Sequence, residues 1–188
     1  MKKRTMALLA AMLMIVGVMI GSTLAWLTAK SSPVVNTFTT SDIEIELKET
    51  TGADYKMVPG WPIDKDPKVT VLAESEECYL FVKLEKNPTS GEVQFDDYLE
   101  YTVDKDWEEL NSEKYPGVYY REITKDGIGK PYSVLKDDKI FVKETVTKEM
   151  MAKAKNNKPT LTITAYASQL YGKDKVKFGA EEAWTNIK

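Results

Sequence analysis

Apolar and polar residues alternate strictly over residues 42–48, where Ile43, Ile45 and Leu47 interleave with Asp42, Glu44, Glu46 and Lys48. A period of two sends one set to a buried face and the other to water, so the spacing predicts a half-buried β-strand. The same period carries Cys78, Leu80, Val82 and Leu84 against Tyr79, Phe81 and Lys83. It returns in Leu161, Ile163, Ala165 and Ala167 against Thr160, Thr162, Thr164 and Tyr166. The alanines on that last inner face imply close approach of another layer. Runs rich in β-branched and aromatic residues predict further strands over residues 34–39, 69–72, 98–103, 118–123 and 140–146.

Between these runs the period breaks at turn residues. Residues 49–67 hold Gly52, Pro59, Gly60, Pro62 and Pro67 and read as a long connection that turns at Pro59 and Gly60. Shorter turns are predicted over residues 74–77, 87–91, 111–117 and 126–131; Gly127, Ile128, Gly129 and Lys130 lack the spacing of a phosphate loop. Helical spacing is confined to two places. Thr147 is placed to cap a short helix bearing Met150, Met151 and Ala154. Ala180, Ala183, Trp184 and Ile187 fall at the spacing of one helical face, and this helix is expected across the edge or end of the sheets. Many short strands and little helix predict an all-β fold, an antiparallel β-sandwich of jelly-roll-like topology with one or two short helices.

The N-terminus follows a different pattern. Lys2, Lys3 and Arg4 precede residues 6–20, apolar except for Gly17, and the small residues Gly21, Ser22, Thr23 and Ala25 follow. This is the anatomy of a secretory signal peptide, so a signal helix over residues 1–25 is expected ahead of a single secreted domain over residues 26–188. A peptidase needs small side chains one and three positions before the cut. Thr23 and Ala25 meet that need, which places the mature start at Trp26. An uncleaved anchor is the competing reading, because residues 21–27 extend the run to about the 20 residues that cross a bilayer. In either case contact with the membrane is expected only through this segment.

Composition then removes whole classes of chemistry. Losing Lys2, Lys3 and Arg4 from a chain of net charge −3 leaves an exported part of charge −6, which disfavours nucleic acid as a partner. There is one cysteine and no histidine. A disulfide framework, a Ser-His-Asp triad, a histidine zinc site and a thiolate cluster are therefore excluded, and no cofactor is expected. Cys78 reads as a buried structural thiol, with an intermolecular disulfide as the alternative. The pairs Asp64 with Asp66 and Asp104 with Asp106 space oxygens as calcium loops do, but lack the glycine and closing glutamate and hold a lysine in the middle. Carboxylates alone can hydrolyse glycosides, and Asp96, Asp97 and Glu100 stand beside Phe95, Tyr98 and Tyr101. A secreted carbohydrate-active enzyme or glycan-binding domain is thus the alternative to a non-catalytic protein.

Three stretches carry a resemblance to a known family. GSTLAWLTAK followed by NTFTTSDIEIELKE, VPGWPIDKDPKVTV with ECYLFVKLE, and LTITAYASQ followed by EEAW resemble Gram-positive secreted proteins processed by the SipW-type signal peptidase, the TasA- and camelysin-like biofilm-matrix family. The resemblance implies a non-catalytic extracellular matrix or surface protein, with a jelly-roll domain that assembles into fibres by donor-strand exchange. Its donor-strand candidates are Val34, Val35, Asn36, Thr37 and Phe38, freed by cleavage ahead of the amphipathic strand. Pairing of that segment within its own domain is the competing expectation.

Overall fold

The computed structural model describes residues 42–52 and 55–187. The expected signal segment, the expected processing site at Thr23, Ala25 and Trp26, and the donor-strand candidates Val34 to Phe38 lie outside the described residues.

The described chain is all-β, built of antiparallel pairs with a few short helices. One sheet has the order β10-β4-β7-β6, from β4 (Cys78–Asn87), β6 (Glu108–Glu109), β7 (Val118–Ile123) and β10 (Thr160–Gln169). A second joins β1 (Ile45–Lys48), β3 (Lys68–Val71) and β8 (Pro131–Ser133) in the order β1-β3-β8. The third joins β2 (Pro62–Asp64), β5 (Leu99–Glu100) and β9 (Lys139–Val142) in the order β2-β9-β5. Three α-helices, α1 (Phe95–Tyr98), α2 (Lys148–Lys153) and α3 (Ala180–Thr185), stand among them.

Strand β4 is the centre of this arrangement because both of its faces are apolar. Cys78, Leu80, Val82 and Leu84 pack in one core with Val69 and Val71 of β3, Leu99 of β5, and Ile140 and Val142 of β9. Tyr79 and Phe81 point the other way, into a second cluster with Leu110, Val118, Leu170 and Ala183. Covering that second face is the work of α3. Trp184 lies 5.2 Å from the Phe81 ring and 5.2 Å from the Tyr166 ring, and the Tyr79 hydroxyl donates to the Phe178 carbonyl at 2.9 Å. The terminal helix therefore lies on the face of the sheet, not at the edge or end that amphipathicity alone predicted. An aromatic face of this kind must be removed from water, and α3 supplies the apolar stripe that does so.

Other elements depart from the sequence expectation for local reasons. The strand expected over residues 98–103 is shorter than expected: Tyr98 ends α1, where it and Phe95 sit three apart and both turn inward, each 1% exposed, and beyond Glu100 only Val103 forms a bridge, to Leu135. The Tyr98 hydroxyl donates to the Met150 carbonyl at 2.9 Å, and only Leu99–Glu100 remains extended against β9. The connection over residues 49–67 turns at Pro59 and Gly60 but also contains β2, an edge strand where the missing N–H of Pro62 breaks no central ladder. The turn cluster after Ile123 continues into β8, paired with β3. The cap at Thr147 is formed: its hydroxyl accepts the Met150 N–H at 3.3 Å.

In β10, Ala165 stands opposite Val82 and Ala167 opposite Leu80, and both alanines pack against the larger core. Ala167→Trp is expected to lower stability by about 1–3 kcal/mol, because an indole at this place forces neighbours out of their packed positions. The denaturant midpoint measures it; an unchanged midpoint contradicts this placement of Ala167.

Candidate functional site

Two features lie close together at the start of β10. The first is an unpaired edge. β4 accompanies β10 for its whole length, from Thr160 opposite Asn87 to Gln169 opposite Cys78, and among the described residues no strand pairs with the other side. Unpaired N–H and C=O groups along such an edge are a template for another strand.

The second is a groove of about 670 Å³. Its floor is set by residues that the core already holds: Phe95 from α1, Leu99 from β5, Ile140 from β9 and Ala154 just after α2. Met151 on α2 and Leu161 on β10 add to the walls, as do Met57, Val58 and Ile63 from the connection. The capped α2 puts Met150, Met151 and Ala154 on its inward side, and the small Ala154 leaves room that a larger residue would fill. Among the described residues every charged side chain lining the groove is a lysine, namely Lys56, Lys65, Lys155 and Lys158. Lys65 is neutralised by Glu49 at 2.9 Å. Lys56, Lys155 and Lys158 are exposed and have no carboxylate partner among the described residues.

The connection beside the groove is anchored by Asp66. Its carboxylate accepts the Thr50 N–H at 2.8 Å, the Thr50 hydroxyl at 2.6 Å and the Thr51 N–H at 3.1 Å. These bonds, the Thr50 hydroxyl foremost, hold the Asp66 carboxyl down to about 2. A depressed carboxylate stabilises the fold above its unfolded value near 4 and loses that contribution as pH falls through its folded value. Wild type is therefore expected to lose stability between about pH 4 and pH 2, and Asp66→Asn to show a shallower loss over that window. Denaturant midpoints measured across the acid range check this; identical slopes for the two proteins contradict it. Tyr55, which donates to Glu49 at 2.6 Å and also bonds the Gly52 carbonyl, has its phenol shifted upward, by burial first and then by the Glu49 bond.

Of the set proposed for a sugar cleft, Phe95 and Tyr101 meet edge to face at 6.1 Å, but the carboxylates do not converge on them. The helical turn of α1 sends Phe95 and Tyr98 into the core and Asp96 and Asp97 into solvent. Asp96 pairs with Lys86 at 2.8 Å, and Glu100 is exposed on β5. Tyr101 instead borders a separate, more polar cleft of about 430 Å³, with Trp107, Tyr119, Asp104, Glu109, Lys86 and Lys105. Burial shifts the Tyr101 and Tyr119 phenols upward, so both remain neutral donors at ordinary pH. Sequence reasoning missed Tyr119, because nothing local ties it to Tyr101.

The other acidic motifs are also separated. Asp64 pairs with Lys139 at 2.9 Å, whereas Asp66 turns back to Thr50, and Asp104 accepts the Asp106 N–H at 3.0 Å. Among the described residues no group of three or more acidic or cysteine side chains is placed to hold a metal ion. Cys78 is fully buried and free, and burial pushes its thiol up to about 12. The chain matches no family model, and no curated protein and no solved structure matches it.

Proposed function

We propose that this chain is a non-catalytic, exported surface or matrix protein that self-associates into fibres by strand addition. The observation that carries the reading is the ten-residue β10, paired on one side only among the described residues. In this reading a signal helix over residues 1–25 directs export, and a SipW-type peptidase cuts between Ala25 and Trp26. The released segment with Val34, Val35, Asn36, Thr37 and Phe38 then adds to the open edge of a neighbouring copy. Main-chain bonds supply affinity and alternate side chains set the register. The folded part is a jelly-roll-like β-sandwich, with β10-β4-β7-β6 as one layer and the two smaller sheets facing the even-numbered side chains of β4. That placement is supported by the shared core of Leu80, Val71 and Val142.

The test compares protein starting at Trp26 with protein starting at Ser41, by sedimentation and negative-stain microscopy. Fibres from the longer form alone are expected. A shortened form that folds and polymerises as readily overturns strand addition by this segment. A second reading, glycan binding, is favoured by the cleft that joins Tyr101 and Tyr119 to Asp104 and Glu109. Saturable oligosaccharide binding that is lost in Tyr119→Ala, with fibre formation absent, selects it.

A further inference from the structure

We infer that the groove beside β10 binds a single-chain anionic amphiphile, a long-chain fatty acid carboxylate, with the chain in the apolar trough and the headgroup against Lys56, Lys155 and Lys158. This does not rest on the fibre reading, since the open edge plays no part in the argument and the N-terminal segment enters only as a competing occupant.

Three observations carry it. The first is size and lining: about 670 Å³, walled by Met57, Ile63, Phe95, Ile140, Met151 and Leu161, lies within the roughly 300–1,000 Å³ of pockets that enclose small apolar ligands. Two methionines in the wall add unbranched, adaptable surface of the kind that follows a flexible chain. The second is the sign of the charge. The protein has 29 acidic and 26 basic residues, yet among the described residues each charged side chain that lines this groove is a lysine. The third is that one lysine is already committed and three are not. Lys65 is paired with Glu49, whereas Lys56, Lys155 and Lys158 meet no carboxylate among the described residues. A lysine lays its apolar stem along such a wall and keeps its ammonium at the mouth, where a carboxylate entering chain-first would stop.

Charge also separates this occupant from the chain's own N-terminal segment. Residues 31–39 hold no acidic side chain, so that segment would leave the lysines unanswered.

The experiment is calorimetric titration of the exported protein with dodecanoate below its micelle concentration, alongside dodecanol and butyrate. Dodecanoate is expected to bind saturably at one site. Dodecanol, with the chain and no charge, should bind at least about tenfold more weakly, and butyrate, with the charge and no chain, should not bind. The exposed double variant Lys155→Glu with Lys158→Glu, checked for native circular dichroism, should weaken dodecanoate by about tenfold or more. Ala154→Leu, which narrows the groove from inside, should weaken dodecanoate and dodecanol alike. Absence of saturable dodecanoate binding overturns the inference, as does equal affinity for dodecanol or an unchanged affinity in the charge-reversed variant. Displacement of dodecanoate by a peptide of residues 31–39 also overturns it, by making the groove the seat of the chain's own strand.

Discussion

Phe81→Ala lowers stability by about 3–5 kcal/mol, the range for emptying a buried aromatic site. Phe81 is fully buried, and its cross-strand partners on β4's two sides are Tyr166 and Tyr120. Its ring lies 5.2 Å from Trp184, 6.0 Å from Tyr79 and 6.2 Å from Tyr120. Truncation removes the surface on which α3 rests, so the near-ultraviolet signal of Trp184 should fall along with the denaturant midpoint. Tyr166 and Tyr120 are held by backbone pairing and cannot collapse into the space. A loss below about 1 kcal/mol would mean that α3 does not depend on this face.

Leu80→Ala, one residue earlier, is expected to cost about 2–5 kcal/mol through the opposite side of the strand. Leu80 is fully buried in the core shared with Val69, Val71, Ile140 and Val142. Across β4 it faces Ala167, too small to fill the vacancy, and Arg121. Arg121 cannot move in either: its guanidinium lies 3.8 Å over the Tyr132 ring and 5.5 Å from that of Trp107. Equilibrium unfolding of both variants measures the pair. Large losses at two consecutive positions mean a strand with packed side chains on both faces; a loss at Phe81 or Leu80 alone would leave one face half wet.

The strands of strict period were legible because each is long enough for alternation to show. β4 was read from that alternation, and so was β10, with Ala165 and Ala167 turned inward; β1 was read from it too, but only Ile43 and Ile45 pack on the core, and Leu47 of the expected inner face is exposed. The two- and three-residue strands β2, β6 and β8 were not. A pair such as Glu108 and Glu109 has no period, and its pairing with Tyr120 and Tyr119 is decided by the neighbour. The turn of α1 went unread because Phe95-Asp96-Asp97-Tyr98 is too short to show a helical period, although the spacing of three lets one helical turn bury both aromatics. The stripe of α3 was visible, and its destination was not, because Phe81 and Trp184 are far apart in the chain. The same distance hid the groove. Lys56 and Lys155 look like ordinary surface lysines until folding brings them to one trough, and the carboxylates of α1, promising in sequence, turn away from their aromatic neighbours.

Cys78 gives this protein a clock. With its thiol fully buried and held almost wholly protonated at neutral pH, an alkylating reagent meets it only in molecules whose central strand has opened. The rate of labelling in native buffer therefore reports these openings without denaturant. Its logarithm should rise in Phe81→Ala and Leu80→Ala with the stability each has lost, and the rate should slow in any assembly that fastens a further strand to β10.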